Sequence, residues 1–192
     1  MQRIIKVTLV AITLAFAAPL AAGPFEDGLD AYGRGDFAAA LKEYRIAAEQ
    51  GHVRAQNNLG YMYRFGQGVA QDHGEALKWY TKAAEKNHTQ AEVMLGIMYR
   101  RGQGVAQDDA EAAKWWLKAA DQGHALAQFS LGNMYFLGLG VAQDVVQSHM
   151  WWSLAADQGN LNATKVRYIV EGRMSPAQIA EAEKLAREWK PK

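Results

Sequence analysis

The chain has 192 residues, an apolar share of 49%, 21 Lys and Arg against 20 Asp and Glu, and no cysteine. That length and apolar share suit one folded domain with a substantial core and exclude a disordered chain. The near-balance of charge argues against a nucleic-acid or anionic-membrane partner, and without cysteine there is no disulfide and no thiolate nucleophile, so packing alone must hold the fold.

Residues 1–22 read as a cleaved secretory signal. Arg3 and Lys6 form a short positive start, Val7 to Ala18 is uncharged and mostly apolar, and Pro19-Leu20-Ala21-Ala22 ends in small residues of the kind a signal peptidase accepts. A membrane anchor is the alternative, but the apolar run is shorter than the roughly 20 residues needed to span a bilayer, and Pro19 interrupts its end. Cleavage after Ala22 leaves 19 basic against 20 acidic residues and implies a periplasmic or secreted destination. Within 23–51, residues Gly28, Ala31, Tyr32, Gly35, Asp36, Phe37, Ala40, Tyr44 and Ala47 fall where a helix-turn-helix unit wants small and aromatic side chains. This segment resembles a half-matching tetratricopeptide unit, expected to cap the N-terminal end.

A stretch then returns twice at an interval of 36 residues. Leu59-Gly60-Tyr61-Met62-Tyr63 runs into Gly66-Gln67-Gly68-Val69-Ala70-Gln71-Asp72, and its copies begin at Leu95 and Leu131. A fixed period in this range marks a solenoid whose units cover one another's apolar faces, here 52–87, 88–123 and 124–159. On the first helix of each unit the unchanging positions are Ala55, Leu59, Met62 and Tyr63, then Ala91, Leu95, Met98 and Tyr99, then Ala127, Leu131, Met134 and Tyr135. Their offsets of 0, 4, 7 and 8 put them on one helical face, which is core. Gly66, Gly102 and Gly138 end these helices. Asp72, Asp108 and Asp144 start the second ones, and Glu75, Glu111 and Gln147 stand at capping-box spacing. The buried stripe of the second helix is Ala76, Trp79, Tyr80 and Ala83, echoed by Ala112, Trp115, Trp116 and Ala119 and by Ser148, Trp151, Trp152 and Ala155. Gly60, Gly96 and Gly132 lie inside helices, where glycine costs roughly 1 kcal/mol relative to alanine, and so predict that another backbone passes close.

The last segment, 160–192, breaks the pattern. A first helix carries Ala163, Val166 and Val170 on one side, and after Gly172 the run Ser175-Pro176-Ala177-Gln178 starts a helix bearing Ile179, Ala182, Ala186 and Trp189 on one face. The outward positions of Lys78 and Lys82, and of Lys114 and Lys118, become Met150 and Leu154 in the final copy, so the C-terminal helix is expected to cover one of the two.

With these residues in view the chain resembles the Sel1-like repeat proteins, relatives of the tetratricopeptide class. The motif runs from Ala55 to Asp72 and continues through Ala76, Trp79 and Lys82-Ala83-Ala84, and the resemblance covers about Ala31 to Trp189. It implies an all-α fold, a right-handed α-solenoid of helix-turn-helix repeats with terminal capping helices. It also implies a non-catalytic adaptor that holds another protein, secreted bacterial members being associated with envelope regulation, polymer export and host contact. A cysteine-rich branch is associated with penicillin binding and β-lactam hydrolysis, and this chain departs from that branch in having no cysteine.

The residues themselves carry little chemistry. A serine β-lactamase needs a Lys three residues after its Ser, whereas Ser130, Ser148, Ser153 and Ser175 are followed there by Asn133, Trp151, Ala156 and Gln178. His52, His88 and His124 recur one per unit, on the order of 10 Å apart at the spacing of packed helices, too far to share a metal. His73 and His149 form no ligand-spaced pair. The Gly66-x-Gly68 loops join two helices and lead to Asp, unlike a phosphate loop, and the Trp residues sit at core spacing. No catalytic, cofactor or metal residue is assigned.

What the repeat leaves variable is where a partner can bind. Opposite the unchanging stripe stand Asn57, Tyr61 and Arg64, then Val93, Ile97 and Arg100, then Phe129, Asn133 and Phe136, nine positions expected to form a grid across the concave groove. Val93, Ile97, Phe129 and Phe136 are apolar where solvent favours polar residues, and Arg64 and Arg100 offer donors to a carboxylate or carbonyl. The competing reading is that successive first helices bury these side chains against each other. Two functions follow: an envelope adaptor taking a peptide or helix of a partner protein in the groove, or a cell-wall-directed hydrolase or glycan or β-lactam binder. The second needs a carboxylate cluster or Ser-Lys pair facing the groove, and neither is present.

Overall fold

A computed structural model describes residues 23–192, so the segment read as a secretory signal lies outside the described residues. Ten helices and no strand are found among the described residues: α1 (Pro24–Gly33), α2 (Phe37–Glu49), α3 (Val53–Phe65), α4 (His73–Ala84), α5 (Thr89–Arg101), α6 (Asp109–Asp121), α7 (Ala125–Leu137), α8 (Val145–Asp157), α9 (Leu161–Glu171) and α10 (Pro176–Glu188).

Local chemistry sets the ends of these helices. Gly66, Gly102 and Gly138 take φ of 69°, 64° and 67°, the left-handed conformation that closes α3, α5 and α7. Asp72, Asp108 and Asp144 cap α4, α6 and α8, each carboxylate accepting from the backbone N–H three residues on. The reciprocal half of the expected capping box does not form. The N–H groups of Asp72, Asp108 and Asp144 already donate to the carbonyls of Tyr63, Tyr99 and Tyr135 in the preceding helix. Glu75 and Glu111, left without that donor, pair with Lys78 and Lys114 one turn along. Among the described residues only Ser175 and Gln178, at the start of α10, build the full box.

Stacking is sequential, as the repeat requires. Helices pack within units as α1 on α2, α3 on α4, α5 on α6 and α7 on α8, and each second helix packs on the next first helix, through α8 on α9. All the unchanging Ala, Leu and Met positions of the first helices are buried, together with Tyr80, Trp116 and Trp152 of the second. α10 turns back and packs on α8. Met150 is buried in the same cluster as Leu185, Ala186 and Trp189, and Trp151 meets Trp189 edge-on with ring centroids 6.3 Å apart. The replacement of outward lysines by Met150 and Leu154 thus does mark the seat of the C-terminal helix.

The mid-helix glycines make room for something other than backbone. A Cβ at Gly60 would meet the Tyr80 ring at 2.9 Å, one at Gly96 the Trp116 ring at 2.4 Å and one at Gly132 the Trp152 ring at 2.5 Å. The same pair recurs in the first unit, where Gly28 faces Tyr44 at 2.6 Å. An aromatic ring of the second helix therefore occupies the space of the missing side chain. Close backbone approach occurs instead at the second glycine of each loop: a Cβ on Gly68, Gly104 or Gly140 would lie 2.3 to 2.4 Å from the Phe37, His73 or Asp109 main chain. Each loop thus rests on the start of the preceding unit's second helix. Gly96→Ala is expected to cost about 1 to 3 kcal/mol in urea unfolding, the range for overpacking a tight core. Gly33→Ala, where a new Cβ meets nothing within 4 Å, is expected to be neutral or mildly stabilising.

Candidate interaction site

The nine grid positions separate by how the first helices lean on one another. Val93 is wholly buried, packed into the cluster that holds Ala112, Trp116 and Leu131. Arg64 is 8% exposed, its guanidinium donating to Met94 Sδ at 3.0 Å and Gln103 Oε1 at 3.2 Å, both in the following unit. These two are corrections to the expected surface. Val93 is core, and Arg64 is an inter-unit tie whose donors are spent inside the chain. The varying positions of a solenoid face the neighbouring unit as well as solvent, and sequence variation does not tell the two apart.

The other seven keep part of their surface. Tyr61 is exposed and packs on Phe65, while Asn57, Ile97, Arg100, Phe129, Asn133 and Phe136 are half-buried. Arg100 reaches Asp109 at 3.5 Å. Asn133 accepts a hydrogen bond from Trp152 Nε1 at 3.1 Å, which fixes its amide beside Phe136, whose ring lies 5.5 Å from that of Trp152.

Open space gathers at the two ends of this face. At the C-terminal end a recess of about 260 Å³ is walled by Asn133, Phe136, Trp152, Val166, Ile169, Val170 and Arg173. At the other end Leu29, Tyr32, Tyr44, Asn58 and Tyr61 enclose about 210 Å³. The C-terminal recess depends on α9, whose Lys165 and Ile169 stand 36 residues after Phe129 and Asn133 and so add a fourth row to the grid. The 36-residue interval could have found that row.

Several polar groups elsewhere imitate a reactive site. Ser153 Oγ lies 3.4 Å from His149 Nδ1, and His149 Nε2 lies 2.9 Å from Glu171. The serine, however, donates at 2.9 Å to the carbonyl of His149 one turn back, and His149 is buried. Glu171 and Arg167 occupy the positions of the repeated Tyr and Leu, so this cluster bolts α9 to α8 where the repeat ends. Two of the recurring histidines are caps: His52 and His88 accept, through Nδ1, the N–H of Ala55 and Ala91, whereas Nδ1 of His124 has no partner. Burial holds the imidazoles of His88 and His124 below their usual range, and at His88 a neutral ring is what the accepting Nδ1 requires.

Glu92 is a buried carboxylate of the core with one oxygen unpartnered. It stands where the neighbouring units carry Gln56 and Gln128, whose amides donate to the carbonyls of Ala48 and Ala120. Glu92 is 1% exposed; its Oε2 accepts from Gln122 at 2.7 Å and its Oε1 has no partner. Burial raises its carboxyl above the usual range, and Lys118 opposes this.

Comparison with known proteins gives a consistent picture. The Sel1 repeat family model matches residues 23–52, 53–88, 89–124 and 125–160, which includes the segment read as a half-matching cap. A protective antigen present in uropathogenic Escherichia coli strains superposes with a TM-score of 0.76 at 36% identity, over 86% of this chain and 37% of that one. A Sel1 repeat protein from Oxalobacter formigenes follows with 0.73 and 31%, over 76% of this chain and 60% of that one. Cysteine rich protein B of Helicobacter pylori, at 22% identity and 0.53, shares the fold. A 34-residue stretch is 65% identical to an uncharacterized protein of Neisseria meningitidis serogroup B, covering 18% of this chain and 7% of that one. The chain thus spans 37% and 60% of the Escherichia coli and Oxalobacter formigenes proteins and 7% of the Neisseria meningitidis one.

Glu92→Gln should let an amide at 92 donate to the Ala84 carbonyl, as its counterparts do eight residues back. The variant is expected to be more stable at pH 7 by about 1 kcal/mol in urea unfolding. A carboxyl raised by folding supports the native state while protonated and loses that support as pH rises through its folded pKa. The gap between variant and parent should therefore close as pH falls.

Proposed function

The chain belongs to the Sel1 repeat family, and on that premise we propose that it is a non-catalytic adaptor of the cell envelope. In this reading it is exported by residues 1–22 and takes a peptide or helix of a partner protein on the face shared by its first helices. The solenoid fold of this family generally serves as a scaffold for protein interaction. The observation that carries the reading is the apolar recess at the C-terminal end of that face, where Phe136, Trp152, Val166 and Ile169 surround a volume able to take a large side chain, with Asn133 and Arg173 at hand to orient it.

Affinity on such a face comes from a buried apolar anchor, at about 25 cal/mol per Å² removed from water, and orientation from the polar rim. Arg100, half-buried and 3.5 Å from Asp109, is the cation of the original grid still able to turn outward. A hydrolase would need a free nucleophile on this face. Among the described residues the Ser153–His149 pair faces α9 and α10 instead and spends its hydroxyl on main chain.

Photo-crosslinking from position 136 in the native compartment should capture a defined partner, and crosslinking from Lys114, exposed on α6, should not. For the partner so identified, Phe136→Ser and Tyr61→Ala are expected to weaken binding by about tenfold or more at unchanged helicity. Capture from both positions alike would refute the face.

A further inference from the structure

α9 ends the array with a face that the other first helices keep covered. α3, α5 and α7 are each packed by a second helix of their own unit, α4, α6 and α8, whereas α10 packs mainly on α8, its Ile179 and Ala182 joining the cluster that holds Val166 and Val170 of α9. Stacked arrays usually finish on a polar surface. The N-terminal end does so: counted from the glycine and ring pair at Gly28 and Tyr44, the exposed Asp27 and Asp30 stand where α3 carries Leu59 and Met62. At the C-terminal end Leu161, Tyr168 and Ile169 are 75%, 79% and 63% exposed.

Register says what kind of helix fits there. Tyr168 stands 36 residues after Gly132, at the position where glycine elsewhere receives the aromatic ring of the covering helix. In α9 the ring comes from the first helix itself, so a covering helix must bring the small residue. The charges on this face are basic. Lys165 and Arg173 make no ion pair among the described residues, and Arg167 is taken up by Glu171 at 3.6 Å. Thr164, Lys165, Arg167, Tyr168, Ile169 and Glu171 line a shallow recess along it.

We propose that α9 is the docking face for one amphipathic, acidic helix of a partner protein, seated where a fifth second helix would lie. That helix sets a small residue over Tyr168, apolar residues over Leu161 and Ile169, and carboxylates toward Lys165 and Arg173. The occupant is another protein rather than a second copy of this chain. The acidic α1 buries its own apolar residues Phe25 and Ala31, and α9 against α9 brings like charges together. The proposal rests on the reading of the chain as an interaction scaffold; it shares Ile169 and Arg173 with the recess at Phe136, whereas Leu161, Lys165 and Tyr168 lie outside that recess.

A synthetic amphipathic peptide of about 15 residues, four turns, with a leucine stripe interrupted by a central alanine and glutamates on its flanks, tests this by fluorescence anisotropy against the whole chain. It should bind and weaken with added salt, and peptides with lysine flanks or a central tryptophan should bind about tenfold more weakly. Tyr168→Ala should reverse the preference between the alanine and tryptophan peptides, an exchange that a merely destabilised α9 would not produce. Tyr61→Ala should leave this binding unchanged, which separates the α9 face from the first-helix face. Equal affinity for glutamate and lysine peptides, no reversal in Tyr168→Ala, or sedimentation showing the face consumed by self-association would each overturn the proposal.

Discussion

In each of four units an aromatic ring from the second helix fills the space left by a glycine of the first, Tyr44 at Gly28, Tyr80 at Gly60, Trp116 at Gly96 and Trp152 at Gly132. Glycine inside a helix is unfavourable by itself, so each pair exchanges local helical stability for a close approach of the two helices. The rest of the unit is arranged around that approach. The Ala, Leu and Met stripe flanks it, the left-handed glycines turn the chain back toward it, and the Asp caps start the second helix at the right height. Where the glycine becomes Tyr168, no second helix of the repeated kind follows, and α10 packs mainly on α8.

Legibility in the sequence follows from the same physics. The buried stripes were visible because three copies expose which positions cannot change. The seat of α10 was visible because Met150 and Leu154 replace lysines that have no other reason to disappear. The reason for the mid-helix glycines was not. Their partners lie 20 residues away in sequence, and a ring and a backbone create the same demand for space. The histidine caps had a faint signal, a His three residues before the first buried Ala at 52, 88 and 124, but histidine is not a customary cap and serves at His52 and His88 only as an acceptor.

The expected exposure of the nine grid positions fails at Val93 and Arg64 for a related reason. A first helix has one side toward its own second helix, one toward the preceding unit and one toward the following unit, so the positions that vary need not all face outward. Arg64 reaches forward to Met94 and Gln103, and Val93 sinks into the next cluster, while Phe136 and Asn133 stay at the rim because α9 brings no second helix behind them. The open surface of this face is thus widest beside α9, where the polar substitutions His149, Arg167 and Glu171 tie α9 to α8.

The most direct test of the ring and glycine pairing is a double-mutant cycle between Gly96 and Trp116, followed by urea unfolding. If the ring is what forbids a side chain at 96, the alanine at 96 becomes neutral or stabilising once Trp116 is replaced by alanine, and the two changes couple by about 1 kcal/mol or more. Simple additivity of the two costs would contradict the account.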